Sequence, residues 1–257
     1  MDSLKRQYLN RNRSSGISIP PPLYIQIAES LLDRIESQEL TPGSRLPAER
    51  ELSKTLGVTR ATVRQALTLL EERGFLHRRQ GRGTFIASPK IERQASKLVP
   101  FTKGMQLRGY KTKNRLIALQ LIPAEVSLAA ELAIPVGESV FFIHRLRLIN
   151  KEPVMIERLW VPSSRFPGLD RFDFEQRSLY EVMETEYGKK VMLARQSLEP
   201  VAAMDYEAEL LGLKPGAPLM LERRLAFDQD DQPVERARDL FRGDRFRFVT
   251  EIAPLEL

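Results

Sequence analysis

The side chains in this chain best suited to holding charge are arginines, and two sets stand out by spacing. The first is Arg60, Thr62, Arg64, Gln65 and, after a short gap, Gly81-Arg82-Gly83. An arginine or glutamine at the start of an exposed helix can meet base edges, and arginine can hold guanine O6 and N7 with two hydrogen bonds. A threonine beside first-turn amides suits a phosphate. An arginine flanked only by glycines can approach a sugar–phosphate backbone or enter a minor groove. The second set is Arg145 and Arg147, with Glu157 following. Side chains alternate along a strand, so within Val140–Ile149 the residues Phe141, Ile143, Arg145 and Arg147 share a face. Two guanidiniums on the face of a core strand are costly unless something anionic meets them. That anion is either a ligand or Glu157 on the next strand, and both remain open. His144 reads as a packed or surface residue rather than a ligand, and Trp160 as core.

Other chemistries are poorly provided for. The 257 residues include no cysteine and two histidines, His77 and His144. Disulfides, thiolate metal sites and cysteine nucleophiles are thereby excluded, and no metal or cofactor is expected. No nucleophile–base constellation or phosphate-cradling glycine loop is present, so no catalytic residue is expected. No run of about 18 apolar residues exists and the N-terminus has no apolar core, so a cytoplasmic location without a membrane partner is expected. Charge is divided unevenly: residues 1–90 carry 15 Lys+Arg against 9 Asp+Glu, and the remainder carries 25 of each. That asymmetry is the footprint of a nucleic-acid-binding module joined to a neutral partner.

The elements that would position the first set are legible. Residues 1–18 read as a disordered tail stopped by Pro20-Pro21-Pro22. A helix over 23–39 carries Ile27, Leu31 and Ile35 at helical spacing and ends at Thr41-Pro42-Gly43. A short helix over 48–56 closes at Gly57, and Thr59 caps a third running to Arg73. Val63, Ala66, Leu67 and Leu70 share its buried side; Ala61, Arg64, Gln65 and Thr68 share the outer one. Phe75–Arg79 and Thr84–Ile86 around the glycine turn read as a hairpin. This order is that of a winged helix-turn-helix, over residues 19–87.

These residues resemble the GntR family of regulators. The stretches Pro42–Leu52, Val58–Leu67, Gly74-Phe75 and Gly81–Phe85 carry the resemblance. It implies DNA contacts at Arg50, Arg60, Thr62, Arg64 and the wing at Gly81 and Arg82, with Arg45 and Gln65 within the same motifs. Double-stranded DNA, a homodimer and a near-palindromic operator are the partners it implies.

After a polar linker over 88–97, residues 98–257 mix strands and helices. Strands are predicted over 116–122, 140–149, 154–161, 190–198, 219–227, 234–241 and 246–253, and helices over 124–132, 178–186 and 204–211. A repeat is visible: Leu132–Gly137 followed by Val140-Phe141-Phe142 and Arg145-Leu146 returns as Leu211–Gly216 followed by Leu219-Met220-Leu221 and Arg224-Leu225. Arg147 returns as Ala226, so only one half carries the pair. Two related α+β halves around an antiparallel sheet are expected, with a ligand cleft between them.

This region resembles the UTRA domain of the HutC branch, which has a chorismate-lyase-like fold. Phe101-Thr102, His144–Arg147, Pro153-Val154 with Glu157, Ser178-Leu179-Tyr180 and Pro233–Glu235 carry the match. The resemblance implies that Arg145, Arg147, Thr102, Ser178 and Tyr180 hold an anionic group and that Glu157 and Glu235 meet the ligand's polar body. Where such domains often carry tyrosine this chain has Phe241, which argues against an amino-sugar phosphate. Three readings follow: a regulator, most simply a repressor, controlled by a small anionic metabolite such as a sugar phosphate or carboxylate; a regulator whose C-terminal domain only dimerises; or an enzyme on a chorismate-lyase-like fold.

Overall fold

The computed structural model describes residues 20–79, 81–96 and 98–252. The tail expected over 1–18 lies outside them. The chain divides into two compact units, Met1–Ile91 and Glu92–Leu257.

The first unit contains helices α1 (Leu23–Glu36), α2 (Glu49–Leu56) and α3 (Arg60–Glu72), then strands β1 (Leu76–Arg79) and β2 (Gly83–Ile86). Ile27 and Leu31 of α1, Leu52 and Leu56 of α2, and Val63, Ala66, Leu67 and Leu70 of α3 close one core with Leu76 and Ile86. Helix α1 stops short of the expected Glu39 because Gln38 turns left-handed, at φ 61°. Gly57 ends α2 in the left-handed region at φ 65°. The Thr59 side chain then accepts from the Thr62 amide and starts α3. Strands β1 and β2 pair antiparallel, with Arg79 opposite Gly83. Gly83 sits at φ 107°, where a side chain is strained, and a Cβ there would lie 2.8 Å from Arg45 Nε and displace that guanidinium.

The second unit contains α4 (Phe101–Gln106), β4 (Thr112–Pro123), α5 (Val126–Leu132), β5 (Ser139–Ile149) and β6 (Glu152–Pro162). A 3-10 turn (Leu169–Arg171), α6 (Leu179–Tyr187), β7 (Val191–Ala202), α7 (Asp205–Leu211), β8 (Pro218–Asp228) and β9 (Pro233–Arg242) follow. Six strands form one antiparallel sheet in the order β4-β5-β6-β9-β8-β7. That order is symmetric about the β6–β9 seam, as the repeat requires. The match extends to single hydrogen bonds. Ala124 N donates to Glu138 O at 2.8 Å and Gly137 N to Ala124 O at 2.9 Å. Seventy-nine residues on, Ala203 N donates to Ala217 O and Gly216 N to Ala203 O, both at 2.8 Å. Arg158 faces Arg238 across the seam, so equivalent residues meet on a local two-fold axis.

The two sheet faces differ. Helices α5 and α7 pack on one through Leu132 and Leu211. The other holds Phe141, Ile143 and Leu159 under α6, Phe166 and Phe174. The stretch 88–97, expected as linker, requires a correction. Its residues Ile91–Gln94 form β3, which pairs with β10 (Phe246–Val249), and Ala95 N donates to Val249 O at 2.8 Å. A strand with one apolar residue in four offers no alternation to read, and its partner lies some 150 residues away.

Candidate functional site

Two surfaces gather the candidate residues, one in each unit. In the first unit Arg60, Arg64 and Gln65 stand exposed on α3, Arg50 on α2, and Gly81 and Arg82 on the wing turn. Arg45 is exposed and bridges to Phe85 beside the wing. Arg64 is not idle: its Nη2 donates to Glu49 Oε2 at 2.9 Å and its Nε to the same oxygen at 3.1 Å. The side chain remains 57% exposed. Hydrogen bonding from Arg64 holds the Glu49 carboxyl below its usual range. Thr62 is likewise engaged, its hydroxyl 2.8 Å from that of Thr59 and its amide capped by the same oxygen. Of the first-turn amides expected to suit a phosphate, that of Thr62 is taken by the helix cap. Among the described residues no carboxylate lies within ion-pair distance of Arg50, Arg60 or Arg82.

In the second unit a cavity lies on the sheet face carrying odd-numbered β5 residues. Strand β5 supplies Arg145 and Arg147, β6 supplies Glu157, β8 supplies Arg224, and β9 supplies Glu235 and Asp239. Phe101 of α4 and Ser178 and Tyr180 at the start of α6 complete the wall, with Arg93 of β3. Arg145 is fully buried. Its Nε donates to Glu157 Oε2 at 2.5 Å and its Nη1 to the Phe174 carbonyl at 3.1 Å. Arg147 donates from Nε and Nη2 to Glu157 Oε1, at 2.9 and 2.6 Å, and from Nη1 to Asn114 Oδ1 at 2.9 Å. Thr102 Oγ1 lies 3.5 Å from the same nitrogen, and the guanidinium rests 5.0 Å from the Phe101 ring centre. One carboxylate thus serves two guanidiniums. Burial alone would raise the Glu157 pKa, but Arg145 and Arg147 outweigh it and hold it at about 2. Burial lowers Arg145 to about 10 against the pull of Glu157, so it stays charged at neutral pH.

The repeat-related arginine has the opposite surroundings. Arg224 donates to Glu235 Oε1 at 3.0 Å, to Glu222 Oε2 at 2.8 Å and to Asp239 Oδ2 at 3.2 Å. Tyr180 Oη also donates to Glu235, at 3.3 Å. Burial pushes the Glu235 and Asp239 carboxyls up, with Arg224 opposing, and in Asp239 the nearby carboxylates add to the rise. Arg93 stands 3.7 Å from Glu222 and 5.1 Å from the Phe241 ring centre.

Seven of the nine residues singled out from sequence line this cavity: Phe101, Arg145, Arg147, Glu157, Ser178, Tyr180 and Glu235. Thr102 touches only through Arg147. Phe241 is corrected: it is fully buried beneath Arg93 against Phe246 and Phe248, and does not form the wall. Sequence reading passed over Arg93, Arg224 and Asp239. The repeat could have found Arg224, the counterpart of Arg145, and alternation from Glu235 could have found Asp239 on the same face.

Comparison with known proteins agrees with both halves. Residues 23–86 match the family model for bacterial regulatory proteins of the gntR family, and residues 107–247 match that of the UTRA domain. The chain is 40% identical to the HTH-type transcriptional repressor NagR of Bacillus subtilis, over 94% of this chain and 97% of that one. It is 32% identical to a probable fructoselysine utilization operon transcriptional repressor of Escherichia coli, over 89% and 94%. The crystal structure of PhnF from Mycobacterium smegmatis superposes with a TM-score of 0.64 at 32% identity, covering 88% of this chain and 99% of that one.

Proposed function

The chain belongs to the GntR family of bacterial transcription regulators with a UTRA domain, and from that premise we propose that it is a repressor released from its operator by a small anionic metabolite. The observation that carries the effector half is the sharing of Glu157 by Arg145 and Arg147 in a cavity wall. Two buried guanidiniums with one carboxylate leave a positive charge for a phosphate or carboxylate to meet. Ser178 and Tyr180 line the same cavity and add hydrogen bonds to that anion, while Thr102 acts on it through Arg147. Arg50, Arg60, Arg64 and Gln65 read bases, while Arg45, Thr62, Gly81 and Arg82 hold the backbone. The chain acts as a homodimer on a near-palindromic operator, since one helix-turn-helix reads only a half-site. Two relatives whose names call them repressors support the direction of control. No helix among the described residues is long and apolar enough to cross a membrane, in keeping with a cytoplasmic site of action.

Control works by linkage: the metabolite binds better to an arrangement in which the DNA-reading units no longer match the half-site spacing. Strand β3 is suited to transmit it, because Ile91 closes the first unit and Arg93 lines the cavity two residues later. A second reading, in which the C-terminal unit only dimerises, draws on the same Glu157, which satisfies both arginines without a ligand. A thermal-shift panel of sugar phosphates, amino-sugar phosphates and carboxylates separates the two. A ligand at about 100 times its Kd stabilises by roughly 2.7 kcal/mol, or about 5–10 °C. A hit abolished by Arg145→Ala supports the effector reading. No shift with any anion leaves the dimerisation reading standing.

A further inference from the structure

Glu49 is a carboxylate set among the arginines of the DNA-reading face. It opens α2 and takes Arg64 of α3 side-on: Nε and Nη2 both donate to its Oε2, at 3.1 and 2.9 Å. From the other side Arg78 of β1 stands 3.9 Å from Glu49 Oε1. Arg78 is itself tied to α3. Its Nε lies 3.3 Å from Glu71 Oε2, and its Nη2 donates to the Thr68 hydroxyl at 3.3 Å. The carboxylate is thus held from α3 and from the wing together. For DNA binding as such it is unfavourable, because it places a negative charge among the groups that meet phosphate. Helix α2 has a second acid in its first turn, Glu51, to serve the positive helix end, and among the described residues Glu51 makes no ion pair.

What the carboxylate does follows from the shape of a guanidinium, which carries five N–H donors in one plane. Glu49 occupies the edge made by Nε and Nη2. The edge made by Nη1 and Nη2 keeps two parallel N–H bonds, the arrangement that fits guanine O6 and N7. An exposed arginine without such a partner spreads over many rotamers and meets phosphate as readily as a base. We propose that Glu49 is a positioning residue for base reading: it fixes the plane of Arg64, presents the Nη1–Nη2 edge to a guanine, and by its charge keeps that guanidinium from settling on phosphate. Glu49 then contributes to specificity and not to affinity for DNA in general. The inference rests on the reading above in which Arg64 meets bases.

The test uses the full chain and an operator selected from random-sequence duplexes, with variants substituted at each base pair, and reads Kd by fluorescence anisotropy at fixed salt. Arg64→Ala identifies the base pair that Arg64 reads, as the position where discrimination falls about tenfold. Glu49→Ala lowers discrimination at that same base pair by about threefold or more, while affinity for a scrambled duplex holds or rises. The double variant loses no more than Arg64→Ala alone, within about twofold, because Glu49 acts only through Arg64. Glu51→Ala removes the other acid of the same helix turn and leaves discrimination unchanged. Glu49→Gln, which removes the charge at the same side-chain length, carries the same expectations if Glu49→Ala does not fold. Unchanged discrimination in the Glu49 variant overturns the proposal. So does a loss shared equally by operator and scrambled duplex, a loss matched by Glu51→Ala, or losses that add in the double variant. Base preferences left intact by Arg64→Ala overturn the base-reading role of Arg64 itself, and with it the role of Glu49.

Discussion

Replacing Glu157 by glutamine keeps the shape of the cavity wall and removes the one charge between Arg145 and Arg147. The carboxylate is held at a pKa of about 2 against 4.5 for an ordinary glutamate. At 1.36 kcal/mol per pKa unit that gap corresponds to about 3 kcal/mol of stability. The same figure is reached from the other direction, since taking one partner from a buried ion pair costs about 3–5 kcal/mol. Because the folded-state pKa is depressed, this stability is fully present above pH 4.5 and is lost as pH falls toward 2. Trp160, the chain's one tryptophan, lies on β6 and reports the second unit alone. Urea unfolding followed by its fluorescence therefore isolates the effect. With m near 2 kcal/mol per molar, the midpoint of Glu157→Gln drops by roughly 1–2 M. Millimolar inorganic phosphate recovers part of that loss by entering between the guanidiniums. A midpoint within about 0.3 M of wild type, at unchanged m, refutes the view that Glu157 holds two otherwise unpaired charges.

Other consequences are equally direct. Arg60→Ala or Arg64→Ala relaxes sequence preference at one base pair by roughly 1–3 kcal/mol, read by competition between operator variants; uniform weakening on all sequences removes the base-reading role. Ala133 ends α5 at φ 49°, where the equivalent residue after α7 is Gly212 at φ 66°, so Ala133→Gly raises stability by about 1 kcal/mol in the same urea assay. Burial, helped by the charge of Arg158, lowers the His144 pKa to about 4. Its ring resonances accordingly stay constant by NMR from pH 8 to about 5, where an ordinary histidine would titrate. As the depressed group resists protonation in the folded state, stability is full above pH 6.5 and declines as pH falls toward 4.

The DNA-reading unit was legible because each of its signals is local. Thr59 caps, Gly57 stops, and four apolar residues of α3 recur at helical spacing. The two-fold architecture was legible through the repeat, since Leu132–Gly137 and Leu211–Gly216 build the same corner in each half. What escaped was long-range. Strand β3 is four residues paired to the far end of the chain, and Arg93 could not be assigned to the cavity until that pairing was known. Alternation on β5 put Arg145 and Arg147 on one face, but it could not say that one carboxylate would serve both. The same rule on β9 groups Glu235, Ala237, Asp239 and Phe241, yet only packing separates Asp239 in the wall from Phe241 beneath it. The link between Arg64 and Glu49 joins α3 to α2 across 15 residues and shows only once the helices are packed.

The central claim is that the cavity and the DNA-reading face are linked, and operator affinity with and without ligand tests it most directly. Fluorescence anisotropy of a labelled operator, selected from random sequence and titrated at fixed salt, gives the Kd with and without saturating anion from the thermal-shift panel. Saturating the cavity lowers operator affinity by about 5–150-fold, the usual range of such coupling, and Arg145→Ala shows no loss. An unchanged Kd in the wild-type protein with the cavity saturated contradicts it.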